Sequence, residues 1–162
     1  MNAPSDRLTD AELVLNRWGD TLYRIALGML GSRTDAEDAV QETMLRYLRR
    51  APHFRDTEHE KAWLITVAMN LCRDMLRRRE IRSTVALDAV AELPADDDES
   101  EVLATLAALP PQSRQIMLLH YVEGYPVKEA AHMLGISESA AKMRLKTGRE
   151  KFKLAYAGGE ES

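Results

Sequence analysis

Two sets of side chains in this 162-residue chain have the type and spacing to do chemistry. In both, the chemistry is the holding of a polyanion rather than the making of a bond. Ser139, Lys142, Lys146, Arg149 and Lys153 recur every three or four residues, so on a helix they form one cationic stripe. Trp63, Thr66, Asn70, Arg73 and Arg77 recur in the same way, and the cations continue through Arg78, Arg79 and Arg82. Planar groups that stack on bases, beside cations that hold phosphates, are what a single nucleic-acid strand needs. Each set also has a plainer reading. Charge on a helix face is commonly only solvation. Trp63 suits core packing equally well, and arginines at a helix end complement its dipole.

Bond-making chemistry finds less support. His53, His59, His120 and His132 are scattered, and no Cys/His spacing forms a metal site. No Gly-rich phosphate loop or Ser/His/Asp order appears, so no catalytic residue, metal or cofactor is expected. A single cysteine, Cys72, excludes an internal disulfide, fits a reducing cytoplasm and takes an inward helical position.

The cationic stripe must be positioned by residues 126–153. Val127, Ala130, Ala131 and Leu134 give a short helix with one buried face, opened by Pro126 and closed by Gly135. Ser137 then caps a longer helix, whose inner stripe is Ala141, Leu145, Gly148, Phe152 and Ala155. Two helices joined by a tight glycine turn, with small residues where they cross and cations outside, describe a helix-turn-helix able to enter a major groove. An ordinary helical hairpin with solvated lysines is the bland alternative.

Six Pro, eight Gly and few β-branched runs point to an all-α protein of one or two small domains. No apolar stretch spans a membrane, and the first residues lack the pattern of a secretory signal. A net charge of −4 looks wrong for a nucleic-acid binder until it is located. Asp88, Glu92, Asp96, Asp97, Asp98, Glu99 and Glu101 lie in a stretch without Lys or Arg, and the flanking parts are net basic. An acidic segment between basic modules reads as a solvated linker.

Along the chain, a first helix is expected over about residues 10–30, with Leu13, Trp18, Leu22, Ile25, Ala26 and Met29 inward. Thr34 and Glu37 form a capping box that opens a second helix to about residue 50, with Asp35, Asp38, Gln41 and Glu42 on its polar surface. Acids near a helix start are expected from the dipole alone. Residues 51–56 read as a loop carrying Pro52 and Phe54. Thr57 and Glu60 form a second capping box, for a helix reaching about residue 80 with Leu64, Ala68, Leu71 and Met75 inside. Periodicity then lapses until Val102, Leu103, Leu106 and Leu109. Pro110-Pro111 separates the helices that should cover the helix-turn-helix from inside, and the last residues are expected to fray. This gives domains over 8–82 and 99–157 with a flexible acidic linker over 83–98. About 16 linker residues extend to roughly 50 Å, enough for the two modules to touch separate sites on one duplex.

These blocks, in this order, resemble the bacterial sigma factors of the extracytoplasmic-function (ECF) group, which carry only regions two and four of the sigma-70 family. DAEDAVQETMLRYL resembles the core-polymerase-binding part of region two, and WLITVAMNLCRDMLRRR the part that opens and reads the −10 element. The block beginning LPPQSRQIMLLHYVEGYPVKEAAHMLGISESAAKMRLKTGREKFK resembles region four, which reads the −35 element. The resemblance implies that Asp35, Asp38, Gln41 and Glu42 lie near the β′ clamp helices of RNA polymerase, with the β flap as a further polymerase contact. It implies that the loop with His53, Phe54 and Arg55, together with Trp63 and Asn70, frames a pocket for a flipped −10 base, with Arg73, Arg77 and Arg78 on nearby phosphates. In the same way Ser137, Ser139, Lys142, Met143 and Lys146 approach the −35 element, with Arg144 and Arg149 reaching backbone. Regulation by an anti-sigma factor is implied as well.

Three residues depart from the family's pattern: Ala141 where Val is usual, Thr147 for a frequent Arg, and Gly148 mid-helix. The expected activity is to bind core RNA polymerase in the cytoplasm, direct it to promoters and help melt the −10 region. A conventional helix-turn-helix regulator, binding duplex operator without polymerase, is the alternative.

Overall fold

Alternating apolar and charged residues at helical spacing give helices and nothing else in the computed structural model, which describes residues 4–83 and 98–160. Helices α1 (Pro4–Leu30), α2 (Arg33–Arg50) and α3 (Thr57–Ser83) make one unit. A second contains α4 (Asp98–Ala107), α5 (Pro111–Met117), α6 (Val127–Leu134) and α7 (Glu138–Glu160). Between α5 and α6 the chain winds through a π-helical stretch, Leu118–Val122. The expected linker falls almost wholly on residues 84–97, outside the described residues. At the other end, the described backbone stays helical through Glu160 where fraying was expected.

Within the first unit, α1 packs on α2 and α3 through Leu22, Ile25 and Met29, which meet Leu64, Ile65 and Met69 in a fully buried core. Each such side chain contributes about 1.5–3 kcal/mol through burial. The inward face of α1 begins with Ala11 and Val14; Leu13, expected inside, is 55% exposed. Ala11, Val14, Trp18 and Leu22 follow one another at helical spacing, which leaves Leu13 outside the buried face.

Gly31, at φ 68°, ends α1 in the left-handed region that glycine adopts without strain. Two arginines finish the helix: Arg79 Nη1 donates to Leu30 O at 2.8 Å, and Arg114 Nη1 donates to Met29 O. Both complement the negative end of the α1 dipole. Burial, with Arg79 nearby, brings the Arg114 guanidinium down to about 10.

Helix starts differ by a residue or two from their expected caps. Ser32, not Thr34, caps α2, accepting from Asp35 N at 3.3 Å. Asp56, not Thr57, caps α3, accepting from His59 N at 2.7 Å. Pro126 sits at the N-cap of α6 rather than in its first turn, and Gly135 closes that helix at φ 67° as expected.

Helices α4 and α5 do cover α7, but they also lie against α1, so both units share one continuous core. The approach is close at Gly28, where an added Cβ would stand 2.6 Å from Leu118 Cδ2 and 3.2 Å from Leu103 Cδ2. Among the described residues no helix is long and apolar enough to cross a membrane.

Candidate nucleic-acid interface

The loop between α2 and α3 is fastened to the first turn of α3 in both directions. Asp56 caps that turn, and Arg55 N donates back to His59 Nδ1 at 3.2 Å. The fastening sets Phe54 flat over Tyr47, with centroids 6.4 Å apart and planes 8° from parallel. Phe54 also meets His59 edge-on at 5.3 Å and Trp63 at 5.8 Å. Beside this aromatic nest opens a cavity of about 620 Å³ lined by Tyr47, Arg49, His53, Phe54, Asp56 and Glu60, among others. Burial, then the Glu60 and Asp10 carboxylates, raises the Tyr47 hydroxyl above the usual phenol range.

The structure therefore sets His53 and Phe54 on the cavity wall, with Trp63 behind them against Phe54, while Arg55, Trp63 and Asn70 do not line the cavity. Trp63 is half-buried, set edge-on to Tyr47 at 6.4 Å and packed on the core. That placement accords with the packing reading of this residue. Asn70, Arg73, Arg77 and Arg78 run exposed along the following turns of α3. From Trp63 to Arg77 the strip extends about 21 Å at 1.5 Å per residue. Arg77 lies 3.6 Å from Asp74, an exposed pair worth little.

Glu60 escaped the sequence reading as anything but a capping residue. Its Oε1 accepts from Arg17 Nη1 and from Trp18 Nε1, both at 3.0 Å, tying α1 to α3 behind the cavity. An acid one turn into a helix gave no sign of that partner in sequence.

On α2, Asp38 and Gln41 are exposed, and Glu42 is half-exposed at 3.8 Å from Arg46. Asp35 differs from these three. It is bound by Arg79 Nη2 in an ion pair that joins α2 to α3.

At the other end, the turn between α6 and α7 is closed by Ile136 N donating to Ala131 O at 3.0 Å. Ser137 Oγ accepts from Ala140 N at 3.1 Å, so its side chain caps α7. Ala141 and Leu145 are buried. A Cβ at Gly148 would meet Met117 Sδ at 2.5 Å, so α7 packs closely there, on α5 rather than on α6. The stripe then continues through Phe152 to Tyr156, whose rings stack at 5.8 Å, whereas Ala155 is exposed. Ser139, Lys142, Met143, Lys146, Arg149 and Lys153 all face solvent, and Arg144 is half-buried. Arg149 Nη1 donates to Tyr121 Oη at 3.0 Å, so this cation is held toward the π-helical stretch.

Among the described residues no group of three or more His, Cys, Asp or Glu side chains is placed to hold a metal ion. The arrangement can stack bases, hold phosphates along α3 and lay a cationic helix face against a groove.

Comparison with known proteins gives the same division. Residues 14–81 match the model of Sigma-70 region 2, and residues 99–152 that of Sigma-70, region 4. The ECF RNA polymerase sigma factor SigM of Bacillus subtilis is 31% identical over 149 residues, covering 85% of this chain and 90% of the relative. The ECF RNA polymerase sigma factor SigE of Mycolicibacterium smegmatis is 30% identical over 152 residues, covering 86% of this chain and 59% of the relative. This chain spans only about half the length of several curated relatives, at 59%, 36% and 53%. Among solved structures, the sigma factor RpoE of Bartonella quintana, in complex with the anti-sigma factor NepR, aligns with a TM-score of 0.74. At 24% identity, over 90% of this chain and 96% of that one, that likeness concerns the fold alone.

Proposed function

The chain belongs to the extracytoplasmic-function group of the sigma-70 family, and we propose that it is a transcription initiation factor that binds core RNA polymerase, directs it to promoters and helps melt the −10 region. The observation that carries this reading is the pairing, on one chain, of an aromatic nest with a cationic strip on α3 and a solvent-facing cationic stripe on α7. A regulator of duplex operators has use for the second surface and none for the first.

In this reading residues 8–82 act as region two, residues 83–98 as linker and residues 99–157 as region four. His53, Phe54, Arg55 and Trp63 take an extruded base, with Asn70 further along the strand and Arg73, Arg77 and Arg78 on phosphates. Extrusion costs a few kcal/mol in unstacking, which ring contacts of about 1–3 kcal/mol per base offset. On α7, Ser139, Lys142, Met143 and Lys146 approach base edges, while Arg144 and Arg149 reach backbone. Ser137 contributes by capping that helix. Asp38, Gln41 and Glu42 meet the β′ clamp helices, Asp35 supports them from its pair with Arg79, and region four meets the β flap. The chain acts by differential binding, without covalent chemistry. It works in the cytoplasm and is held in check by an anti-sigma factor that covers the polymerase-binding surfaces.

The test uses promoter DNA with 2-aminopurine in the non-template strand of the −10 element. Fluorescence should rise when core polymerase and the chain are both added. The double variant Trp63→Ala/Asn70→Ala should abolish most of the rise while still co-eluting with polymerase. Parallel loss of co-elution would place the defect in folding and reject the assigned site.

A further inference from the structure

Most of the outward face of α7 suits a polyanion, and one residue on it does not. Ser139, Lys142, Lys146, Arg149 and Lys153 are polar or cationic and face solvent. Met143 stands among them with 64% of its surface exposed. Among the described residues it is the one large apolar side chain so placed in the first three turns of α7, where Ala141 and Leu145 turn into the core. Leu154, exposed as well, lies about three turns further toward the C-terminal end.

Position along the helix matters as much as exposure. Ser137 Oγ accepts from Ala140 N at 3.1 Å and fixes where α7 begins. Met143 follows in the second turn, about 8 Å from Glu138 at 1.5 Å per residue. A recognition helix meets base edges with its N-terminal residues. Ser139, Met143 and Lys146 stand at i, i+4 and i+7, in one row along the helix. Lys142 lies beside that row, paired with Glu138 at 3.5 Å.

Chemistry then narrows what Met143 can read. Its side chain is long, unbranched and polarizable, with no donor and only a weak acceptor. In the major groove the hydrogen-bonding groups of the bases suit Ser139 and the lysines. The apolar mark on that edge is the C5-methyl group of thymine. A lone exposed apolar residue needs no explanation in general. Here it is set at the depth where a groove-bound helix touches bases, and contact with a methyl group would take apolar surface of both partners out of water.

We propose that Met143 is a specificity-determining residue that reads the C5-methyl group of one thymine in the −35 element. The assignment rests on the function proposed for α7, but only on its entry into a major groove, which the duplex-operator reading shares. One buried methyl group is worth about fourfold in binding.

The experiment uses core polymerase with the full chain. This holoenzyme selects from a random duplex library, and each thymine in the −35 half of the selected motif is replaced in turn by uracil. Uracil keeps the pairing and the O4 acceptor and lacks only the methyl group. At one position the replacement should weaken binding about fourfold. With Met143→Ala, thymine and uracil at that position should bind alike, whereas Met143→Leu should keep most of the preference. Melting curves followed by circular dichroism establish that both variants are folded. A thymine preference that survives in Met143→Ala gives the methyl group to another side chain or to duplex shape, and overturns the assignment. So does a −35 half in which no thymine discriminates, or which contains none. If the holoenzyme selects no two-part motif, the initiation reading fails, and the same replacements are made in the duplex that the chain selects alone. A chain that selects no duplex in either form overturns the assignment of Met143 as well.

Discussion

Cys72 has no exposed surface, and burial pushes its thiol up to about 12, with Arg79 partly opposing the shift. The sign of the linkage follows. A thiol whose folded pKa lies above its unfolded value keeps its stabilising share below the unfolded pKa of about 8.5. That share is lost as pH rises toward 12, because only the unfolded chain then sheds the proton. Cys72→Ala should therefore flatten the fall in denaturant midpoint between pH 8.5 and 9.5, below the pKa of about 10 at which tyrosines of the unfolded chain ionise. A thiol reagent should modify the parent chain only at its unfolding rate, and rapid modification of folded protein would place Cys72 elsewhere. The same scale separates Asp35 from Asp38 and Gln41. All three are acids or amides early in one helix, but only Asp35 is spent on an internal partner, Arg79.

At the scale of elements, the crossing of α7 over α5 turns on Gly148. Gly148→Leu should destabilise the chain by about 1–3 kcal/mol through overpacking against Met117, more than the helix propensity it gains. A denaturant midpoint unchanged or raised would show that Met117 moves aside freely. Lys142 faces outward, and its 3.5 Å pair with Glu138 adds little to stability. Lys142→Ala should leave the melting curve unchanged, weaken duplex −35 binding and make its salt dependence shallower by about one unit of slope. Unaltered binding would reject this facing of α7. The helix-turn-helix was legible because its signals are local: a four-residue apolar rhythm, a glycine that needs positive φ, a serine cap. Caps slipped by a residue or two because Ser32, Thr34, Asp56 and Thr57 all offer a suitable oxygen, and the choice depends on chain direction. Leu13 and Ala155 were misassigned for different reasons. Leu13 stands beside Val14, which with Ala11 carries the buried face of α1, whereas Ala155 lies toward the end of α7, where the neighbour that would cover the stripe runs out.

For the whole molecule, two helical units in the order of regions two and four were readable from residue blocks. Their packing against each other was not. Arg24 and Glu123 are 99 residues apart, and nothing local marks either as the other's partner. Gly28 carries no local mark of Leu103 and Leu118, which pack against it. The aromatic nest lay between these extremes. Phe54 stood out as a lone loop aromatic and Trp63 as a ring on a polar face, but their meeting over Tyr47 depends on how Asp56 and His59 fasten the loop.

The central claim is that this chain gives core polymerase a promoter. Abortive transcription with purified core polymerase on a promoter library, with and without the chain, tests it most directly. Short transcripts starting downstream of one shared two-part motif, and only when the chain is present, are the expected result. Failure to stimulate any start, together with tight binding of the chain alone to duplex DNA, would contradict the claim and make it a regulator of duplex operators.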